Sequence, residues 1–346
     1  MQNEITTVQP LFNQDGGLSN PGWARDLMLQ YDRKDIKASS IRIKEWDYYY
    51  ISDGRFVVCL TMADLAYIGL ITVTYIDLEK RTEHSVTSMP LLPMGRLKLP
   101  NTTHHGDVRY KDKKIEMEFI RKEKGRHLKC YVPNFINNEP FTGDFFLEQP
   151  SMDTMVIATP WKEDKKAFYY NQKINCMPVI GTFKIGSVEY NFTPDKTFST
   201  MDWGRGVWTY DNTWYWGTAN GIVHDEKGPG SFGFNIGYGF GDTSSASENM
   251  IFFRNKAHKF DRITFNIPDE GYCSENHPWI FTTSDGRLEM RMDTIIDRHA
   301  YTKVGPICND GHQVFGKFSG IAILDDGTKL QFSDLMGFAE KVHNRY

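Results

Sequence analysis

Apolar and polar residues alternate with a period of two through much of this chain. Residues 40–44 alternate, 46–52 form an aromatic-rich run, and after the Asp53-Gly54 turn signal the chain returns through 55–63. Residues 69–78 are rich in β-branched side chains. Further pairs of short runs flank turn signals: 114–121 and 127–132 around Glu123-Lys124-Gly125, and 182–185 and 188–192 around Gly186-Ser187. The same holds for 280–283 and 287–292 around Asp285-Gly286, and for 320–324 and 328–332 around Asp326-Gly327. A period of two half-buries a strand, and Asp-Gly between two such runs signals a hairpin. The pattern predicts an antiparallel all-β protein, sandwich or barrel. Helices are expected to be few: one turn within 20–29 and a short helical or turn segment at 198–202. The polar stretch Thr193-Pro194-Asp195-Lys196-Thr197 precedes a compositionally different region. Two β halves are therefore expected, 1–195 and 196–346, with a single large β unit as the main alternative.

Composition narrows the class. Of 346 residues, 14% are aromatic and only 12 are Ala, which favours strands over helices. The net charge of -4 makes no demand for a nucleic-acid partner. The most basic stretch, 109–129, alternates charged with apolar residues and reads as a solvated hairpin. Cys59, Cys130, Cys176, Cys273 and Cys308 are odd in number and include no CxxC pair, so reduced thiols are expected. The first residues lack a basic and apolar leader pattern, and no uncharged run approaches the roughly 20 residues of a membrane-spanning helix. A soluble, cytoplasmic protein is expected, with its oligomeric state open. There is no GxxxxGK[ST], GxSxG or HExxH, and Gly237-Tyr238-Gly239-Phe240-Gly241 has the wrong spacing for a dinucleotide fold. His104, His105 and Asp107 lie in a Pro/Asn/Thr loop that reads as solvated. No metal and no cofactor are expected.

One segment concentrates the unusual residues. Four of the eight Trp, namely Trp203, Trp208, Trp214 and Trp216, fall within 14 residues around Asp202-Trp203-Gly204-Arg205-Gly206. On a strand, Trp214 and Trp216 share a face. A buried Arg205 needs a carboxylate or several carbonyls, and Asp202 and Glu248 are the candidates. Asp202 and Arg205 either pair to brace the two halves or project into an aromatic pocket formed by Trp203, Trp208, Tyr210, Trp214 and Trp216. In 232–240 the aromatic residues alternate with Gly233, Asn235, Gly237 and Gly239. Small residues on one face let a backbone or a ligand lie close, and Asn235 supplies hydrogen bonding there. Asn220 and Asn249 complete the polar candidates.

Several ordered stretches carry a family resemblance. They include Asn20-Pro21-Gly22-Trp23-Ala24-Arg25, Lys44-Glu45-Trp46-Asp47-Tyr48, residues 63–69 and 173–181, and Asp202-Trp203-Gly204-Arg205-Gly206. They continue with 233–241, Glu248-Asn249, Val314-Phe315-Gly316 and Gly337-Phe338-Ala339-Glu340. The chain resembles a bacterial domain-of-unknown-function family marked by the Asp-Trp-Gly-Arg-Gly motif. That family is distantly similar to lipocalin-like proteins such as carotenoid hydratase, tocopherol cyclase and fungal Diels–Alderase-type cyclases. The resemblance implies two lipocalin-like β-barrel halves with a ligand cavity in or between them. It implies no particular reaction. The hydratase-type motif sets His and Asp beside Trp-Gly, whereas here Ser199-Thr200-Met201 precedes Asp202.

Four functions remain in competition. The first is a cofactor-independent cyclase, hydratase or isomerase acting on an apolar small molecule. Asp202 or Glu248 would supply a proton, and Arg205 would hold charge or the substrate's oxygen. The second is a non-catalytic binder or carrier of a hydrophobic ligand. The third is a carbohydrate-active or carbohydrate-binding β protein, with Trp214 and Trp216 stacking on sugars. The fourth is a structural protein with filled barrels.

Overall fold

The computed structural model describes residues 2–305 and 307–345. It is all-β, as the alternation predicts: two curled antiparallel sheets pack against one another. The larger sheet contains thirteen strands among the described residues. Its central path runs Phe56–Asp64, Ile43–Ser52, Phe198–Val207, Phe168–Ile185, Glu139–Glu148. The smaller sheet has nine strands, with Gly228–Tyr238, Asp211–Asp225, Lys329–Arg345, Ile307–Ile323 and Leu288–Val304 as neighbours in that order. Short 3-10 turns at Arg33–Asp35 and Ser40–Arg42 are the helical elements among the described residues. No helix among them is long and apolar enough to cross a membrane.

Several hairpins fall where the turn signals place them. Ile43–Ser52 pairs with Phe56–Asp64 across Asp53-Gly54. Glu116–Lys122 pairs with Gly125–Ile136, and Ile307–Ile323 with Lys329–Arg345. The two expected helical segments are corrected. Residues 22–24 form a strand, and 198–202 open a ten-residue strand buried along its whole length. That strand belongs to the larger sheet, between Ile43–Ser52 and Phe168–Ile185. The Asp202–Gly206 motif therefore lies in the first sheet, not in the second half that an expected division at 195/196 assigns it to. The chain changes sheets between Val207 and Asp211. The polar 193–197 stretch is a turn that returns the chain into the sheet it has just left, and so carries no change of layer.

Strand Phe168–Ile185 holds the two halves together. A bulge breaks its register with Phe198–Val207 between Ile174 and Met177, and Cys176 there has a φ of 61°. Bulges bend a strand. Here the strand pairs with Met155–Pro160 before the bulge and with Glu139–Glu148 after it. At the bend, Asn175 Nδ2 donates to Thr218 Oγ1 at 2.7 Å, and the Cys176 amide donates to Asn220 Oδ1 at 2.9 Å. Both partners lie on the smaller sheet, so the buried Cys176 amide and Asn175 side chain at the bend are satisfied by the other sheet.

Apolar burial divides into three clusters. One fills the curl of the larger sheet around Leu60, Phe145 and Trp203. Another fills the smaller sheet around Phe234, Trp279 and Phe318. The third lies where the sheets meet and contains Tyr48, Tyr169, Trp208, Trp216, Phe240 and Phe338. The cysteines are all free, with Cys59, Cys130 and Cys176 buried.

Candidate functional site

Three adjacent strands of the larger sheet present rows of side chains toward the smaller sheet. Cross-strand register aligns Tyr48, Asp202 and Lys173 in one row, Trp46, Gly204 and Asn171 in the next, and Lys44, Gly206 and Tyr169 in a third. The two glycines of Asp202-Trp203-Gly204-Arg205-Gly206 have a packing role. A Cβ on Gly204 would lie 2.0 Å from Trp46 Cζ2, and one on Gly206 would lie 2.7 Å from Trp208 Nε1. Both positions must be bare for the two indoles to lie over the strand. Opposite them, the smaller sheet aligns Gly237, Trp216, Glu340 and Gln313 in a row.

The rows line a cavity of about 280 Å³. Its walls are aromatic: Trp46, Tyr48, Tyr169, Trp208, Trp214, Trp216 and Phe240. Its polar groups are Lys44, Lys173, Asp202, Asn309, Gln313, Glu340 and Asn344. Aromatic walls with a few convergent polar groups are the usual make-up of a small-molecule site.

The charged centre is an ion pair. Lys173 Nζ stands 2.8 Å from Asp202 Oδ2, and both side chains are nearly fully buried. Asn171 Nδ2 donates to the other Asp202 oxygen at 2.6 Å. The ammonium also lies 3.8 Å from the Trp216 ring centroid, a cation–π contact in a desolvated place. Two further carboxyls feel this ammonium. Glu340 Oε1 accepts from Trp214 Nε1 at 3.0 Å, and Oε2 accepts from Gln313 Nε2 at 3.2 Å. Glu248 packs over bare Gly237, with Tyr169 Oη 3.5 Å from its Oε2 and no hydrogen-bond partner for Oε1. Burial pushes the Glu340 carboxyl up to about 7; its two hydrogen-bond donors and Lys173 oppose the shift, and Asp202 adds to it. Burial likewise raises Glu248 to about 7, against the pull of Lys173. One ammonium thus serves three carboxyls, and a proton is readily held on the glutamates near neutral pH. At another part of the lining, burial lowers the Lys44 ammonium to about 7, while its Nζ donates to the Leu65 carbonyl at 2.8 Å.

The expected site residues are divided by the structure. Asp202, Trp208, Trp214 and Trp216 come together on the cavity wall. Glu248 and Asn235 stand behind that wall: Asn235 Oδ1 accepts from Trp216 Nε1 at 2.7 Å, and its Nδ2 donates to the Glu248 carbonyl at 2.8 Å. Trp203 points the other way, into the first core, packing edge-on against Tyr31 and Tyr170. Tyr210 is exposed. Asn220 serves the bend at Cys176, and Asn249 accepts from the Gly237 amide and donates to the Asp261 carbonyl.

Arg205 is also away from the cavity, and it does not pair with Asp202. Positions 202 and 205 differ by three, which on a strand sets them on opposite faces. The Arg205 guanidinium is wholly buried and bonds Asp47 Oδ1 at 3.0 Å. It also donates to the carbonyls of Trp46, Gly204 and Pro100. It stacks 4.2 Å from the Trp203 ring. These contacts tie two central strands of the larger sheet to the loop that carries Pro100.

Lys173 and Glu340 were not foreseen as site residues, although both lie in the stretches that carry the family resemblance. The signal was weak: Asn171, Lys173 and Asn175 recur at every second position, as one polar face of a strand would, but the intervening Gln172 is polar too.

Comparison with known proteins gives the chain a family and relatives in fold. The family described as "Domain of unknown function (DUF2804)" matches residues 2–346. The chain belongs to this family. No curated protein matches the sequence of this DUF2804 chain. Among solved structures, it is similar to a provisionally assigned AttH from Nitrosomonas europaea, with a TM-score of 0.54 at 12% identity, covering 96% of this chain and 99% of that one. It is also similar to kievitone hydratase from Nectria haematococca, with a TM-score of 0.53 at 12% identity and 98% coverage of both chains. At such identities the likeness of the DUF2804 chain to these proteins is one of fold.

Proposed function

We propose that the cavity between the sheets is the active site of a cofactor-independent enzyme that moves a proton on an apolar small molecule, as a hydratase, cyclase or isomerase does. The observation that carries this reading is the buried Lys173–Asp202 ion pair beside Glu340, on the wall of an aromatic cavity. Glu340 faces the ligand space, so it is the proton donor; Glu248, behind Tyr169, is not in contact with that space. A carboxyl whose pKa lies near 7 is matched to general acid catalysis at neutral pH.

The step balances as follows. The Glu340 carboxylic acid transfers its proton to an sp2 carbon or a heteroatom of the ligand and becomes a carboxylate. The resulting cationic centre is stabilised by the faces of the surrounding indoles. It is discharged by loss of a different proton, or by addition of water followed by loss of a proton from the added oxygen; attack of an internal double bond moves the charge to a new carbon, which is then discharged in one of these two ways, and the proton released restores the Glu340 acid. Trp214 and Gln313 already donate to the Glu340 oxygens and receive the carboxylate without reorganisation. The shared fold with kievitone hydratase supports the class of chemistry and nothing narrower.

The test uses wild-type protein and Glu340→Gln, first isolated gently and extracted for a co-purifying small molecule. A panel of isoprenoid and polyketide-like compounds is then incubated with each in D2O. The expected result is quenching of tryptophan fluorescence by a ligand in both proteins, with carbon-bound deuterium or a hydrated or cyclised product from wild type only. Saturable quenching with no solvent-derived hydrogen in any ligand overturns the catalytic reading and leaves a binder of the same ligands.

A further inference from the structure

On strand Ile307–Ile323, Asp310 and His312 share a face with Val314 and Phe318 of the smaller sheet's core, and at the end of that core they form a second cluster of chemistry, apart from the cavity. Strands Leu288–Val304 and Ile307–Ile323 form a long hairpin in which His299 lies directly opposite His312. Their imidazole rings stack with centroids 4.0 Å apart and planes 5° from parallel. Tyr272 stacks on the other side of His312 at 3.6 Å. Asp310, on the same face as His312, accepts from or bonds to His299 Nε2 at 2.9 Å and lies 3.6 Å from His312 Nε2. One ligand atom each from His299, Asp310 and His312 falls within 4.8 Å of the others.

We propose that His299, Asp310 and His312 bind one divalent transition-metal ion of the zinc class. Three observations converge on this. First, two imidazole nitrogens and one carboxylate oxygen are a donor set for zinc and its neighbours, and not for calcium or magnesium, which take oxygen ligands. Second, His312 Nδ1 is bonded to Asp297 Oδ2 at 2.7 Å. A carboxylate on one ring nitrogen holds the proton there, leaving the Nε2 lone pair for a metal, and it makes that nitrogen more basic. Third, the Tyr272 ring fixes the plane of His312, so one ligand is oriented before the ion arrives. His299 and Asp310 are more exposed, and because an imidazole lone pair lies in its ring plane, His299 turns out of the parallel stack to aim at the ion while Asp310 closes to the roughly 2.0–2.2 Å bond lengths of zinc. Three protein ligands leave a coordination position for water or an outside ligand.

The ion would clamp the strand whose opposite face serves the cavity. Alternation sets Asp310 and His312 on the face that bears Val314 of the smaller sheet's core, while Asn309 and Gln313 line the cavity on the other face and Gln313 holds Glu340. The metal site does not depend on the function proposed for that cavity.

The experiment is calorimetric titration of the full chain, stripped with chelator, using zinc sulfate. Thermal melting with and without zinc runs in parallel. Wild type is expected to bind one ion per chain and to melt higher with zinc. His299→Ala and His312→Ala are each expected to lose the binding and the shift. Asp297→Asn should weaken affinity about 10–100-fold without removing a ligand. Metal-free melting of each variant distinguishes a lost ligand from a lost fold. Glu340→Gln should bind zinc as wild type does, which separates this site from the cavity. The absence of saturable binding, or binding unchanged in both histidine variants, overturns the proposal.

Discussion

Lys173 and Asp202 form an ion pair, 2.8 Å long, across two central strands of the larger sheet, in direct cross-strand register and nearly sealed from solvent. A single cation there faces Asp202, Glu248 and Glu340. Removing it should be costly. Lys173→Met leaves a buried carboxylate without its counter-ion, and urea unfolding should show a loss of about 3–5 kcal/mol. Asp202→Asn combined with Lys173→Met should cost less than the sum of the single changes, since the pair is coupled. Additive losses would mean that the two side chains do not stabilise one another.

The raised glutamates make stability depend on pH in a definite direction. Burial holds Glu248 and Glu340 at about 7 in the folded protein. The unfolded carboxyls ionise near 4.3. Between these values the folded chain binds more protons than the unfolded one, so stability falls as pH rises through this window and levels off above about 7. Denaturant unfolding at a series of pH values should show this decline. Glu248→Gln should flatten it, gaining relative to wild type above pH 7.

Gly204 and Gly206 are bare so that indoles can cover them. Gly204→Ala sets a methyl on the Trp46 ring and should cost about 1–3 kcal/mol, the usual range for overpacking. Because Trp46 lines the cavity, its displacement should also alter the tryptophan emission spectrum of the folded protein. A variant with wild-type melting and emission would show that the ring can move aside freely.

Arg205 separates structural from functional roles within one motif. Arg205→Met strands buried Asp47 and should cost about 3–5 kcal/mol in denaturant unfolding. Arg205→Lys should recover only part, because a lysine cannot reproduce the guanidinium's fan of bonds to Asp47 and three carbonyls. The protein that remains folded should bind cavity ligands with unchanged affinity, measured by fluorescence titration.

Much of the fold was legible because strands and tight turns are local. The Asp53-Gly54 hairpin, the 114–132 hairpin and the pair around Asp326-Gly327 each need only neighbouring residues. The motif was misread for an equally local reason. Asp202 is a candidate partner for Arg205 because the two are close in sequence; on the strand that forms, a spacing of three sets them on opposite sides. The apolar residues of 198–207 alternate poorly because both faces are buried, so a period of two is hidden where it matters most.

From the sequence alone came the all-β class, the hairpins and the stretch in which tryptophans gather around Gly-Arg-Gly. Each follows from alternation, turn chemistry or composition, which act over a few residues. The order of strands in the sheets was decided only in three dimensions. That order sets Lys173 beside Asp202, brings Glu340 from the far end of the chain to the same cavity, and turns Arg205 away from it. Such contacts are selected by the joint burial of two sheets and by the need of each buried charge for a partner, and neither condition can be read from one segment at a time.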